Sequence, residues 1–427
     1  MIQQLKIGTS WVRGIVGQGL TPELIVDFAS AFGTWVEGRP VVIGRDTRRS
    51  SVMLRAAVVS GLLSPGSRVI DMGISTTPLV CFAVRELGAA GGICITGSHN
   101  DAAWNALKFI GPHGGLLTTI ESEELLDIYH ASTFKTAPRD HVPNVAPAPE
   151  IGDRYIEHLL SALDLELIKN RRFRLAVDFN NGASADISRR FLKELACDVI
   201  PVNEELTGQF AHPPAPSISN MAQLAEVVSD SEVELGACIN VDGDRIGFVT
   251  EKGQALSEEY TIALAALNRL SRRSGPIVTS FSTSHLVDII AEKHHQKVIR
   301  TIVGESHVVD RGLEEGAILA GEGSGGVAAL PLSTTFDGLL TLGMVLESLA
   351  AQQDGLSGLV SHLPHSFMKK GELTLEPVLA YRAVRHFREA YAEMSPDCSD
   401  GGVRVAWEDA WLHVRVSNTE PLLLSLI

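Results

Sequence analysis

Basic residues are the scarce component of this chain: 36 Lys plus Arg stand against 51 Asp plus Glu, a formal charge of −15 with neutral histidines and a pI near 5.4. A chain of that sign has no general field with which to attract polyanions, so nucleic acid and membrane surfaces are not expected as partners. Any anionic ligand must be held by a local cluster of donors. Cysteine is sparse too: Cys81, Cys94, Cys197, Cys238 and Cys398 are odd in number, scattered and without a C-x-x-C pair, which argues against a disulfide framework or a zinc site. Cys94 and Cys238 lie in apolar runs and read as buried thiols. No stretch approaches the about 18 uninterrupted apolar residues of a membrane span. The start, Met-Ile-Gln-Gln-Leu-Lys, lacks the basic-then-apolar order of a signal peptide, so a cytoplasmic location is expected. Ordinary apolar material is plentiful, with 45% of 427 residues hydrophobic and 20% charged. That length suits about two to four domains, each with its own core.

Short β-branched runs alternate with helical patterns, the sequence form of an α/β fold with largely parallel strands. Thr21-Pro22 supplies an N-cap and a proline at the first helical position, followed by Ile25, Phe28, Phe32 and Val36 at helical spacing. Strands are predicted at 41–43, 69–70 and 93–96, with helices at 52–63 and 78–87, forming one doubly wound unit. Residues 132–150, punctuated by Pro138, Pro143, Pro147 and Pro149, read as an inter-domain connection. A second unit has strands at 175–177, 199–200 and 235–239 and a helix at 184–195. A third has helices at 260–270, 285–293 and 339–349 and strands at 277–278, 298–299 and 318–319. From about Lys370 the rhythm changes to a helix (382–391) and two strands (403–407 and 411–416), a small α+β appendage.

Four polar loops interrupt these elements where strands end, the place at which open α/β sheets carry ligands. Thr96-Gly97-Ser98-His99-Asn100 puts a serine hydroxyl on a sharp glycine turn, which suits a nucleophile or phosphate carrier; a plain polar turn with Asn100 as a cap fits the same string. Asn240-Val241-Asp242-Gly243-Asp244-Arg245 sets oxygen ligands at alternate positions around a glycine, as a hard divalent cation prefers, although a solvated Asp-Gly hairpin reads equally well. Gly321-Glu322-Gly323-Ser324-Gly325-Gly326 offers one carboxylate and one hydroxyl to sugar hydroxyls. Arg415-Val416-Ser417-Asn418-Thr419-Glu420-Pro421 combines a guanidinium, hydroxyls, an amide and backbone N–H groups into an anion nest. This last loop is the local donor cluster that the acidic composition requires.

Gly8-Thr9-Ser10-Trp11-Val12-Arg13-Gly14 and Gly44-Arg45-Asp46-Thr47-Arg48 join these loops, and with six motifs in this order the sequence resembles the α-D-phosphohexomutase family. The resemblance implies three similar doubly wound α/β domains (1–145, 146–254, 255–367) plus a small C-terminal α+β domain (368–427), heart-shaped around a central cleft. It implies that Ser98 carries the phosphoryl group and, with Asn240, Asp242 and Asp244, coordinates Mg²⁺. Arg13, His99 and Lys108 fall at the reacting phosphoryl group, where a lysine of lowered pKa could accept the sugar proton. Arg245 would neutralise bound phosphate, Glu322 and Ser324 would hold sugar hydroxyls, and Arg415, Ser417, Asn418 and Thr419 would anchor the substrate phosphate. The implied reaction moves phosphate between C6 and C1 of a hexose phosphate through a hexose 1,6-bisphosphate, with the glucosamine sugar favoured over mannose or glucose; the other course is a phosphosugar-binding homologue of impaired activity. Departures are Asn240 for an aspartate, which offers only a neutral carbonyl oxygen and weakens Mg²⁺ binding, Gly326 for a histidine, Trp11 for a glycine and Asp101 for a proline. After Pro421 the family continues through a strand and a helix where this chain runs Leu422 to Ile427, so a shortened last domain is expected.

Overall fold

The computed structural model describes residues 5–364, 368–394, 397–398, 402–408, 410–416 and 422–426, with backbone only at 372, 377 and 422–426. Helix starts follow the local chemistry: Thr21 caps Pro22–Trp35 and Thr76 caps Thr77–Glu86, each accepting an N–H three residues on and each with proline in the first turn. Apolar runs such as Val41–Arg45 and Leu235–Ile239 form fully or almost fully buried strands, as sheets covered by helices require.

The first three sheets share one plan. In the first, Val41–Arg45 pairs in parallel with Val69–Ile74 and Gly91–Ile95, and Gly91–Ile95 then pairs antiparallel with Trp104–Ile110. In the second, Arg174–Asp178 lies parallel between Asp198–Val202 and Leu235–Ile239, which pairs antiparallel with Ile246–Thr250. In the third, Ile277–Ser280 lies parallel between Val298–Thr301 and Leu319–Gly321, which pairs antiparallel with Val327–Ala328. Each sheet therefore carries an antiparallel hairpin beside its parallel strands, and the first three polar loops occupy the same connection in successive domains. The first sheet is widened to seven strands by Leu5–Ile7, Trp11–Ile15 and Ala146–Pro147. The last of these comes from the proline-rich connection, which is thus partly bound to that sheet. The fourth sheet is antiparallel and four-stranded, Lys370–Thr374, Leu422–Leu426, Trp411–Val416 and Val403–Ala406 in spatial order, with helix Pro377–Ala390 beside it. The strands 370–374 and 422–426 fall within the predicted appendage but were not among its predicted elements, and elsewhere in the chain helices Thr119–Ala131, Gly152–Leu160, Leu165–Arg171, Ala222–Ser229 and Glu305–Glu314 were not predicted.

One apolar cluster runs from Val80 and Phe82 through Tyr155, Leu163 and Phe191 to Leu264, Leu340 and Leu346, so the first three domains share a core. Polar ties reinforce it: Tyr155 Oη donates to Asp337 Oδ2 at 2.7 Å, and Glu347 accepts from Asp164 N, Asn268 Nδ2 and Arg272 Nη1 at 2.5, 2.7 and 2.6 Å. No helix among the described residues is long and apolar enough to cross a membrane.

Candidate active site

Ser98 follows strand Gly91–Ile95 with φ +49°, a left-handed conformation that a residue with a side chain adopts only when its surroundings hold it. The surroundings are specific. Thr96 Oγ1 donates to Asp46 Oδ2 at 2.7 Å and accepts from Ser98 N at 2.9 Å. Arg48, completely buried, pairs with Asp46 and donates through Nη2 to Ser98 O at 3.0 Å and Asn100 O at 2.5 Å. A side chain at Gly97 would meet Arg48 Cζ and Trp104 O at 2.9 Å, which is why glycine precedes the serine.

The second loop reaches this serine across the domain boundary. Ser98 Oγ lies 3.4 Å from both Asp244 carboxylate oxygens. Asp242 is anchored by the first domain, accepting from Thr77 Oγ1 at 2.7 Å through Oδ2 and from Thr77 N at 2.9 Å through its carbonyl. Strand pairing carries Lys108 to the same place: Trp104–Ile110 sets it opposite Trp11 and Cys94, and its Nζ donates to Asp242 Oδ2 at 2.8 Å and Asp244 Oδ2 at 2.5 Å. Burial alone would lower the Lys108 pKa, but Asp242 and Asp244 outweigh it and raise it. The lysine of lowered pKa is therefore corrected: between two carboxylates Lys108 is a fixed cation. Burial would likewise raise Asp242, but Lys108 holds it at about 2.

Asn240 is a second correction. Its carbonyl Oδ1 accepts the Arg245 N–H at 3.0 Å, which turns the amide so that Nδ2 donates to Asp242 Oδ1 at 3.0 Å, Asp244 Oδ1 at 2.6 Å and Ser98 Oγ at 3.4 Å. It offers the cluster N–H groups in place of a cation ligand. Two carboxylates and the Ser98 oxygen still converge, and one or two carboxylates plus a phosphate is how Mg²⁺ is commonly held. Asp242, Asp244 and Ser98 are the oxygen donors here that would hold a divalent cation, in exchange for their present contacts with Lys108 and Asn240.

Around this centre stand further cations. Arg13 Nη1 donates to Asn100 Oδ1 at 2.5 Å, its guanidinium lies 4.7 Å from the Trp11 ring centre, and burial and Arg245 push its pKa down to about 10. Trp11 keeps the regular register of strand Trp11–Ile15 and supplies a stacking face for Arg13. His99 is held well below the usual imidazole range by burial and by Arg245, Arg13, Lys108 and Arg48, so it is neutral. Arg13 Nε, Arg245 Nε, His99 Nδ1 and Ser324 Oγ are buried with no hydrogen-bond partner among the described residues. Three of these four belong to cationic or imidazole side chains, the donors an anionic ligand would satisfy.

The third loop is fastened to the second: Ile246 N donates to Gly325 O at 3.0 Å, and Arg245 and Gly326 form a β-bridge. Gly326 has its own cause, since a Cβ there would lie 2.2 Å from the Phe336 ring; the place of the family's histidine is filled. Glu322 Oε1 accepts Gly304 N at 2.9 Å, at the start of helix Glu305–Glu314, and Lys370 of the fourth domain donates to Gly323 O at 3.0 Å. Arg415 is the penultimate residue of strand Trp411–Val416. Ser417, Asn418 and Thr419 lie outside the described residues.

Several site residues escaped the sequence reading. Glu305 Oε1 accepts from Thr335 Oγ1 at 2.5 Å and Phe336 N at 2.8 Å, and burial pushes its pKa to about 7. His307 Nε2 lies 3.3 Å from Thr9 Oγ1, linking the first motif to the third domain. A Val-Gly-Glu turn opening a helix was the available signal for both. A separate cluster, Asp178, His212 and Cys238, has its ligand atoms within 4.8 Å of one another.

Comparisons with known proteins bear on the family and the fold. Residues 4–136, 153–253 and 257–367 match the family descriptions "Phosphoglucomutase/phosphomannomutase, alpha/beta/alpha domain" I, II and III. The chain is 34% identical to a phosphoglucomutase/phosphomannomutase of Thermococcus kodakarensis, covering 97% of this chain and 92% of the relative. It is 30% identical to a phosphoglucosamine/phosphogalactosamine mutase of Sulfurisphaera tokodaii, with coverage of 97% and 93%. Among solved structures, a phosphoglucomutase/phosphomannomutase family protein of Burkholderia thailandensis superposes with a TM-score of 0.84 at 28% identity, over 98% of this chain and 92% of that one.

Proposed function

Because this chain belongs to the phosphoglucomutase/phosphomannomutase family, and is thus a phosphohexomutase, an isomerase that transfers phosphate within one molecule, we propose that Ser98 is its phosphoryl carrier and a glucosamine phosphate its substrate. The observation that carries the reading is the position of Ser98 Oγ, 3.4 Å from both oxygens of Asp244 on a strained turn, with Lys108 on the same carboxylate at 2.5 Å. Arg13 and Arg245 have buried Nε donors without partners among the described residues.

In the proposed reaction a sugar hydroxyl attacks phosphorus on Ser98, the new O–P bond forms as the Ser98 O–P bond breaks, and the hydroxyl gives up its proton as it attacks. That proton then serves the departing Ser98 oxygen. Lys108, Arg13 and Arg245 stabilise charge on the equatorial phosphoryl oxygens, the main catalytic demand of such a transfer. Glu322 and Ser324 orient the sugar, while Arg415, Ser417, Asn418 and Thr419 hold its second phosphate. After the hexose 1,6-bisphosphate turns over, the other phosphate returns to Ser98. Bound at Asp242, Asp244 and the phosphoserine, Mg²⁺ would supply further neutralisation of the transferring group. A net charge of −15 together with local cations at Arg13, Lys108 and Arg245 favours a small hexose phosphate over a polyanion as the ligand.

The glucosamine preference rests on relatives with that name, such as the enzyme of S. tokodaii; mannose and glucose phosphates are the competing substrates. Asn240, which turns N–H groups toward both aspartates, favours a second reading, sugar-phosphate binding without turnover. A coupled assay with glucosamine, mannose and glucose phosphates, Mg²⁺ and catalytic bisphosphate decides among them. The highest kcat/KM should fall to the glucosamine substrate. Measured binding without turnover of any of the three would establish the second reading.

A further inference from the structure

We propose that Phe210, on the second domain, is a positioning residue for Ser98 and acts through Arg48; the proposal rests on Ser98 being the carrier. Residues 203–216 leave strand Asp198–Val202 as a strap without regular structure and return before the turn Ile218–Met221. Its base is pinned to the end of strand Arg174–Asp178. Asn180 Nδ2 donates to His212 O at 3.1 Å, Asn180 Oδ1 accepts from Ala211 N at 3.1 Å, and Asn203 Nδ2 donates to Asp178 Oδ1 at 3.1 Å. His212 faces acceptors at both ring nitrogens, Asp178 Oδ2 at 3.0 Å and Pro213 O at 2.9 Å. An imidazole between two acceptors satisfies both when it carries both protons.

The tip of the strap presses on the first domain. Gly208, at φ +70°, passes so close that a Cβ would lie 2.4 Å from Thr47 O, and Thr47 Oγ1 donates to Asn181 O at 2.7 Å. Two residues on, the Phe210 ring centre stands 4.8 Å from Arg48 Cζ. The Arg48 guanidinium uses Nη1 on Asp46 and Nη2 on Ser98 O and Asn100 O, while Nε has no hydrogen-bond partner among the described residues. The aromatic face completes its surroundings. A guanidinium that can tilt would release the two carbonyl oxygens on either side of His99, and with them the strained Ser98 conformation. Cation–π contacts favour one orientation of the guanidinium and strengthen as the pair is desolvated. The second domain thus contributes to the carrier's geometry by way of Arg48.

The test uses the full-length protein with Phe210→Leu, which keeps apolar volume and loses the ring face, Phe210→Met as a second version of the same loss, and Phe210→Tyr, which keeps the face. Folding is checked by thermal melting, and a variant that melts as the parent does is assayed. Leu or Met should lower kcat about tenfold with KM within about twofold, and Tyr should restore kcat to within about twofold. In an Arg48→Lys background Phe210→Leu should add no further loss, because both act on one contact. Unchanged kcat in the Leu and Met variants, a loss confined to KM, or full additivity with Arg48→Lys overturns the proposal. If neither the Leu nor the Met variant folds while Tyr does, the ring is structural and the proposal also fails. Ser98→Ala runs alongside: full activity in that variant overturns the carrier reading, whereas an inactive Ser98→Ala with unaffected Phe210 variants overturns the positioning role alone.

Discussion

Asn240 is the residue whose role depends most on orientation. Its Oδ1 is engaged by Arg245 N, so the side chain meets Asp242 and Asp244 with donors. Replacing it by aspartate removes those donors and adds a ligand charge. Asn240→Asp should lower the Mg²⁺ Kd by on the order of tenfold, measured by calorimetry or by the Mg²⁺ dependence of turnover; an unchanged Kd would show that Asn240 does not face the cation. Gly326 makes a packing prediction. A methyl there meets the Phe336 ring, so Gly326→Ala should lower the unfolding free energy by about 1–3 kcal/mol in denaturant titration, and Phe336→Leu in the same chain should recover part of it. At this scale the chemistry-bearing letters of the first three loops were readable because polar residues stand at the ends of apolar strands. The direction of the Asn240 amide and the charge on Lys108 were not, since both follow from partners more than 100 positions away in sequence or from a backbone N–H that only the folded turn supplies.

Among elements, the strap 203–216 joins the second domain to the carrier loop, and its latch is titratable. Burial alone would lower the His212 pKa, but the Asp178 carboxylate and the Pro213 carbonyl raise it. A folded-state pKa above the unfolded value means that the stabilisation is present in full below the unfolded value, about 6.5, and is lost as pH rises through the folded value. Thermal midpoints of the parent protein should therefore fall as pH rises from about 6.5, and His212→Gln should flatten that slope; an equal slope in both proteins would place the proton elsewhere. The strap was invisible in the sequence because it has neither helical nor strand period, and its meaning lies in long-range contacts to Thr47 and Arg48. Helices Pro22–Trp35 and Thr77–Glu86 were legible by contrast, since Thr21-Pro22 and Pro78 mark their starts.

For the whole molecule, three sheets of one plan set three loops at one connection, and a shared core fixes them relative to one another. Glu347 is a joint of that frame, bonded to Asp164 at the start of helix Leu165–Arg171 and to Asn268 and Arg272 in the third domain. Glu347→Ala should lower the unfolding free energy by about 2–4 kcal/mol and Glu347→Gln by less, measured by chemical denaturation. The repeated α/β layers could be read from alternating strand and helix patterns, whereas the seventh strand, Ala146–Pro147, could not, because two residues carry no period. The most direct measurement on the molecule is transfer of label from phosphorylated protein. Enzyme labelled at Ser98 is mixed with unlabelled hexose phosphate, and the label is followed by intact mass and by product analysis. With Ser98 as carrier, the protein loses the mass of one phosphoryl group as labelled hexose bisphosphate appears, and Ser98→Ala neither takes up label nor turns over. A label that stays on the protein with every hexose phosphate, or a Ser98→Ala variant that retains mutase activity, would contradict it.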